Sequence, residues 1–133
     1  MASVQKPLEL ILARNFLSSL ATPAFLVDTP GTLVYFNEAA GSLLGKRFEE
    51  TGPMSAIEWG AQFGPFASDG KPIPLDELPV TIALREGCPA HATFTIRAAD
   101  ETEHEIEVSA LPIVASDSSK GAIVVFWPVG EGG

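Results

Sequence analysis

The chain has 133 residues, of which 46% are hydrophobic and 19% are charged, and this composition predicts one folded domain rather than two domains or a disordered segment. Eight Lys and Arg residues against 17 Asp and Glu residues give a formal net charge of -9, which disfavours binding to nucleic acid or to an anionic membrane surface. The single cysteine, Cys88, excludes an internal disulfide, a zinc ribbon and a cysteine-ligated iron–sulfur cluster within one chain, and the lack of a signal-peptide core or of an apolar run of roughly 20 residues predicts a cytoplasmic setting.

The first predicted element is an amphipathic helix from Pro7 to Leu20, within an N-terminal helical cap over residues 1–22. Its apolar positions cover well over half of the helix circumference and include Leu8, Leu12 and Phe16. Such an arc is wider than one contact with a domain core requires. The helix therefore either lies deep against its own domain or also packs on a second subunit, in which case these three residues form a homodimer interface.

Two runs rich in β-forming residues, 24–28 and 33–36, flank the turn Thr29-Pro30-Gly31-Thr32 and predict a β-hairpin. Asn37 follows the second run and has the side chain preferred at a helix N-cap. Gly45 stands where a helix ends on a left-handed residue. A short helix is therefore expected between Asn37 and Gly45.

Residues 46–76 are rich in Gly and Pro and predict a loop-rich segment with short helical turns around 55–63. Trp59, Phe63 and Phe66 are large apolar side chains that a disordered linker would not carry. This segment is therefore expected to fold back over the core.

A longer helix is predicted over 77–86, with Asp76 as its N-cap and Gly87 as its terminator. Within it, Leu78 and Ile82 recur at helical spacing. We expect both of these side chains to face the core.

Three strands in a meander, 91–97, 104–114 and 121–129, complete the predicted elements. Both alternating sets of the last strand are apolar, so each face of the sheet should be covered. The predicted fold class is α+β, with an antiparallel sheet of about five strands, short helices on one face and the N-terminal amphipathic helix on the other. The domain body spans 23–129, and 130–133 form a flexible tail.

The order of these elements, together with several short runs, resembles the PAS domain of bacterial sensor proteins. The runs are Pro23-Ala24-Phe25-Leu26-Val27-Asp28, Tyr35-Phe36-Asn37-Glu38-Ala39-Ala40, Leu43-Leu44-Gly45, Asp69-Gly70-Lys71-Pro72-Ile73-Pro74, Ala83-Leu84-Arg85-Glu86-Gly87 and Ser109-Ala110-Leu111-Pro112-Ile113. The resemblance implies a PAS-like fold in which a hollow between helices and sheet takes a small molecule or another protein. It also implies assembly as a homodimer.

Three departures from the family pattern limit what the resemblance implies. Flavin-binding PAS domains that form a photoadduct carry their cysteine in an Asn-Cys-Arg-Phe run before the long helix, whereas Cys88 follows that helix. Haem-binding members ligate iron through a His on the long helix, whereas His91 and His104 fall at strand starts. We therefore expect no flavin, haem or metal. No output helix follows the last strand, so a signal would pass to a protein partner in trans or through a dimer rearrangement.

The predicted function is a cytoplasmic signalling sensor or protein-interaction module that is not an enzyme. A ligand would be small and apolar, because the residues predicted to line the hollow are Trp59, Phe63, Ile82, Phe94 and Val108. One alternative is a purely structural dimerisation or docking domain whose hollow is filled by its own side chains. Another is a small cone-fold isomerase-like enzyme in which Asp28 or Glu58 abstracts a proton. No motif for nucleophilic or metal catalysis is present, so no catalytic residue is predicted.

Overall fold

The structure, a computed structural model, describes residues 8–29, 31–67, 69–115 and 118–129. Pro7 at the predicted helix start, Pro30 in the hairpin turn and the predicted tail 130–133 lie outside the described residues. In chain order, the elements are α1 (Leu8–Leu17), β1 (Ala24–Asp28), β2 (Leu33–Phe36), α2 (Glu38–Leu44), α3 (Phe48–Thr51), α4 (Ala56–Phe63), a 3₁₀ turn (Leu75–Glu77), α5 (Pro79–Glu86), β3 (Ala90–Arg97), β4 (Glu103–Ala115) and β5 (Ser118–Pro128).

The five strands form one sheet in the order β2-β1-β5-β4-β3. Every neighbouring pair in this sheet is antiparallel. Strands β1 and β5, which are far apart in sequence, therefore pair with each other in the middle of the sheet. The predicted α+β class with an antiparallel sheet of about five strands is confirmed.

The inner face of the sheet packs against the helices between β2 and β3. Alternate residues of β4 and β5 point to this side, and their side chains are buried: Ile106, Val108, Ala110, Ala122, Val124 and Phe126. Helix α5 contacts β3, β4 and β5. The core of the domain thus lies between the inner sheet face and α2, α4 and α5.

Helix α1 packs on the outer face of the same sheet through three buried side chains, Leu10, Ala13 and Leu17. They contact a second apolar cluster contributed by β1 and β2, whose buried members are Ala24, Leu26 and Val34. The guanidinium of Arg14 lies 4.6 Å from the ring centroid of Tyr35 on β2, a cation–π contact that holds the helix to that strand. The structure therefore places α1 on the outer face predicted for it.

The helix ends at Leu17, three residues before the predicted Leu20. The reason is local, because the Ser18 hydroxyl donates to the carbonyl oxygen of Asn15 and the chain turns at 18–19. Helix α1 also does not lie deep in the domain. The outer apolar arc stays exposed: Leu8, Ile11, Leu12 and Phe16.

The contact between α1 and the sheet depends on a close approach at Gly121 of β5. Its φ angle is +149°, and a Cβ atom there would collide with the carbonyl oxygen of Val27 and lie 2.9 Å from a methyl carbon of Leu10. Only glycine satisfies both conditions. Helix α1 can therefore pack closely on the outer sheet face because Gly121 has no side chain.

Helix α5 begins at Pro79 with Leu78 as its N-cap residue, and Asp76 lies in the preceding 3₁₀ turn. The predicted start at residue 77 and the predicted Asp76 cap are therefore wrong. The physical reason is Pro79, which restricts the residue before it to extended backbone and suits the first position of a helix. Leu78 accordingly has a ψ angle of 145°. Gly87 ends the helix in the left-handed conformation, as predicted.

Asn37 caps α2, and its side chain does more than the predicted capping. Its Oδ1 accepts the backbone N–H groups of Ala40 at 2.9 Å and of Ala24 at 3.1 Å. Its Nδ2 donates to the carbonyl oxygens of Thr22 at 2.9 Å and Leu17 at 3.1 Å. The side chain is 1% exposed. One amide thus joins the end of α1, the following linker, β1 and α2.

We predict that Asn37→Ala lowers the free energy of unfolding by about 3 kcal/mol, because it removes a helix cap and leaves buried backbone groups without partners. Urea unfolding followed by circular dichroism measures this change. Asn15→Ala is the matched control, since Asn15 lies exposed on α1, and it should change stability by less than about 0.5 kcal/mol. Equal effects of the two substitutions would contradict the role given to Asn37.

Candidate functional site

A hollow of about 60 Å³ lies between the inner sheet face and helices α2, α4 and α5. All of the side chains that line it are apolar: Phe25, Leu33, Leu44, Trp59, Phe63, Pro65, Leu78, Pro79, Val80, Phe94, Ile96, Ile106, Val108, Val124 and Phe126. Such a wall excludes water and offers no charged partner. The hollow therefore suits a small, neutral, apolar occupant.

Four of the five residues predicted for the hollow lie in its wall. Trp59 and Phe63 reach it from α4, Phe94 from β3 and Val108 from β4. Ile82 does not line the hollow, which corrects the prediction for that residue. Val80 lies there instead, because residues two apart on a helix point about 200° away from each other.

Two aromatic side chains that the sequence analysis did not place in the hollow also line it. Phe25 on β1 and Phe126 on β5 contact each other with ring centroids 5.9 Å apart. Phe126 belongs to the alternating inner-face residues of β5, so the two-residue period of that strand predicts its inward orientation. Phe25 is only partly buried, and its position follows from the pairing of β1 with β5, which no local pattern encodes.

The two carboxylates considered for an isomerase-like mechanism serve local structure instead. Oδ1 of Asp28 accepts the backbone N–H of Thr32 at 3.0 Å and closes the hairpin. Oε1 of Glu58 accepts the backbone N–H of Ser55 at 2.8 Å in the capping box of α4. Neither carboxylate lines the hollow. The inward-facing base that this alternative requires is not formed by either residue.

The two histidines also lie away from the hollow. His91 has Nδ1 2.9 Å from the Ser109 hydroxyl and Nε2 3.4 Å from a Glu107 carboxylate oxygen. The other carboxylate oxygen of Glu107 accepts the indole N–H of Trp127 at 3.2 Å. This cross-strand cluster of β3, β4 and β5 lies on the outer sheet face. No local pattern predicts it, because its members come together only through strand pairing.

The carboxyl group of Asp100 has a lowered pKa, first because the Thr102 hydroxyl donates to it and second because the Thr102 backbone N–H does so. Thr102 also lies 3.1 Å from Nε2 of His104. Asp100 and Thr102 lie in the turn between β3 and β4, so the hydrogen bonds that lower the pKa of Asp100 belong to this turn and not to the hollow. Across the described ranges, no group of three or more His, Cys, Asp or Glu side chains could hold a metal ion.

The residues around the hollow do not fit a flavin. Its volume of about 60 Å³ is well below the roughly 300–1,000 Å³ of pockets for larger ligands. Its wholly apolar wall offers no side-chain partner for the polar edge of a flavin ring. Cys88 is exposed beyond the end of α5 and does not line the hollow.

Within the described part of the chain, no helix is long and apolar enough to cross a membrane. No model of a known protein family matches the sequence, and no curated protein sequence matches it either.

Solved structures do resemble this fold across most of the chain. The PAS domain of a protein from Colwellia psychrerythraea covers 90% of this chain and 97% of its own, at 15% identity and a TM-score of 0.63. The PAS domain of nitrogen regulation protein NR(II) from Vibrio parahaemolyticus covers 89% of this chain and 98% of its own, at 18% identity and a TM-score of 0.63. A LOV protein from Rhodobacter sphaeroides covers 96% of this chain and 71% of its own, at 13% identity and a TM-score of 0.72. The fold is therefore of the PAS type, as the sequence resemblance implied.

We predict that Val108→Ile stabilises the protein by about 1 kcal/mol, because the added methylene enters unfilled apolar space. The thermal unfolding midpoint should rise by about 4 °C. Val114→Ile is the matched control on the same strand, since Val114 is 53% exposed, and it should leave the midpoint unchanged. A lower midpoint for Val108→Ile would contradict the presence of free volume beside Val108.

Proposed function

We propose that this domain of PAS fold is a signalling sensor and protein-interaction module whose hollow binds a small apolar molecule, and that it signals as a homodimer or to a protein partner in trans. The observation that carries the proposal is the hollow of about 60 Å³ between the helices and the inner sheet face, lined wholly by apolar side chains. A cytoplasmic setting is part of the same proposal.

The unfilled space supports ligand binding on energetic grounds. Protein cores contain few voids larger than a water molecule, and a void of about 60 Å³ costs on the order of 1 kcal/mol of stability. Larger side chains at wall positions such as Val80 or Val108 would remove that cost. A small apolar occupant would offset it without any change of sequence.

The positions of the polar groups support a role other than catalysis. Asp28 and Glu58 hold a turn and a helix cap, respectively, and the wall of the hollow carries no titratable side chain. Proton transfer inside the hollow would have no general base. The proposal is therefore that this domain binds and signals without being an enzyme.

The outer arc of α1 supports homodimerisation. Leu8, Leu12 and Phe16 are 64%, 57% and 59% exposed, and Ile11 on the same arc is also exposed. A contiguous apolar surface of this kind marks an interaction site. A second copy of the chain presents the same arc, so a two-fold symmetric contact would bury both at once.

The structural alternative rests on a different observation: aromatic side chains of the domain itself line the hollow, among them Phe25 and Phe126, whose rings contact each other. On this second candidate function, the domain dimerises or docks without any ligand. The two candidates differ in whether purified protein carries added mass.

We expect native mass spectrometry of freshly purified protein to show a dimer that carries the mass of one small molecule per chain. An absorbance spectrum of the same sample should show no flavin or haem bands. Dimers without added mass, in samples that also bind none of a panel of small apolar molecules, would favour the structural domain and contradict the sensor.

We predict that Leu12→Glu or Phe16→Glu converts the dimer to a folded monomer, because each substitution places two charges in the symmetric interface. The dissociation constant should rise by about 100-fold or more. Sedimentation or light scattering at several concentrations measures the change.

Ile57→Glu provides the control, since Ile57 is 82% exposed on α4 in the opposite layer of the domain. This variant should keep the native assembly. A dimer that survives Leu12→Glu and Phe16→Glu would rule out the α1 interface.

A further inference from the structure

Beside α1, the outer face of the sheet carries a second apolar surface, contributed by β4 and β5. The alternation of these strands directs four apolar side chains to this face, which we call the outer patch: Leu111, Ile123, Val125 and Trp127. Leu111 and Trp127 are 43% and 36% exposed, whereas Ile123 and Val125 are partly buried against the cluster that contacts α1. The outer patch therefore begins at the side of α1 and continues onto β4.

The flank of α1 that borders the outer patch is apolar. Arg14 marks the opposite flank, because its guanidinium lies over the ring of Tyr35 on the edge strand β2. Leu12 and Phe16 are each two residues from Arg14, about 200° away around the helix. They therefore lie on the side of α1 toward β5 and β4, where the helix flank and the outer patch form a corner with two apolar walls.

Trp127 has a fixed orientation on this surface. Its indole N–H donates to a carboxylate oxygen of Glu107 at 3.2 Å, and the other oxygen of Glu107 lies 3.4 Å from Nε2 of His91. A large aromatic side chain that is already held in one orientation loses little conformational entropy when a partner binds. Tryptophan is also among the residues that contribute most to binding at protein interfaces.

Polar side chains border the outer patch on the side away from α1. Arg97 and Glu103 form a surface ion pair at 3.7 Å, and His91, Thr93 and Glu105 are exposed on the same face. An apolar centre with a polar, solvent-accessible rim is the arrangement found in protein interfaces.

Helix α1 alone is too small for a stable dimer interface. It has ten residues, three of which are buried against the sheet of their own chain, whereas stable interfaces use about 20–30 residues from each partner. A dimer formed through the exposed arc of α1 must therefore bury further surface. The outer patch is an apolar surface that adjoins this arc.

The exposed stripe of α1 matches the outer patch in length. Leu8, Leu12 and Phe16 follow one another at four-residue intervals, so they form one stripe about 12 Å long. Ile123 and Trp127 lie at the two ends of the patch on β5, about 13 Å apart. One helix can thus cover the patch from end to end, with its apolar side chains at the spacing used by helices that bind apolar grooves.

We infer that the outer patch of each chain receives α1 of a second copy in the homodimer. This inference rests on the proposed homodimer and names its second contact surface. A two-fold axis makes the contact reciprocal, so α1 of each chain lies in the corner between the partner's α1 and the partner's outer patch. Each chain then buries its helix stripe and its outer patch together.

Disulfide cross-linking between two single-cysteine proteins tests this contact. Both proteins carry Cys88→Ser, because Cys88 is exposed. One protein adds Leu8→Cys, Leu12→Cys or Phe16→Cys on the helix stripe, and the other adds Leu111→Cys on the outer patch. After subunit exchange and mild oxidation, we expect a mixed disulfide from at least one of the three pairs.

Ile57→Cys replaces Leu111→Cys in the matched control, since Ile57 is an exposed apolar residue on α4 in the opposite layer. The mixed disulfide should be about tenfold or more above this control, because a disulfide forms only between residues whose Cα atoms approach within about 7 Å.

The outcomes separate the contact from the homodimer on which it rests. Mixed disulfides at the level of the Ile57 control, in protein that sediments as a dimer, would overturn the contact and leave the homodimer standing. Protein that stays monomeric at every concentration tested would overturn the proposed homodimer, and the contact with it.

A second measurement needs no introduced cysteine. We expect Leu111→Glu to raise the dimer dissociation constant by about tenfold or more, because it places a charge in the apolar centre of the interface. Ile57→Glu should leave this constant within about twofold of the wild-type value. A dimer that is weakened by Leu12→Glu but not by Leu111→Glu would overturn the contact.

Discussion

The side-chain amide of Asn37 joins α2 to the end of α1, the linker after it and β1. It accepts from β1 and α2 and donates to the end of α1 and the linker after it. Because the group is buried, each lost bond would leave a backbone group without a partner in a low-dielectric core, which is costly. The relative positions of the outer helix, the central strand and the inner helices therefore depend on one residue.

Around that amide, the domain divides into two apolar clusters that share one sheet. The inner cluster lines the hollow, and the outer cluster contacts α1. Strand β5 contributes to both, with Val124 and Phe126 inside and Ile123 and Val125 outside. A change in the inner packing and a change at α1 would thus act on the same central strand, which would give the proposed sensor function a physical path between the hollow and α1.

Local patterns predicted most of the fold. The alternation of apolar residues predicted the last strands. Asn37 and Gly45 predicted the ends of α2, because a helix cap depends on residues within a few positions of the helix end. The start of α5 was missed because the effect of Pro79 outweighed the capping ability of Asp76. The wall of the hollow could be predicted where large apolar residues fall on elements correctly placed, as with Trp59 and Phe63. The prediction for Ile82 was wrong because the side chains that α5 turns toward the hollow depend on the rotation of the helix about its axis. The long-range hydrogen bonds of Asn37 could not be predicted, because they form only when segments distant in sequence meet.

Helix α1 contacts the sheet through few buried side chains, which lowers the free energy needed to detach it. Three buried side chains, one cation–π contact and the bond from Asn37 to the carbonyl of Leu17 attach this helix, so it can detach at a lower free energy than global unfolding requires. Detachment would uncover Leu26 and Val34 and free one donor of the Asn37 amide. A molecule that binds more tightly when α1 is attached would therefore also stabilise the arrangement of α2 and the hollow, and a molecule that stabilises that arrangement would favour attached α1 by the same free energy. Amide hydrogen exchange in α1 would then report the state of a cavity on the far side of the sheet.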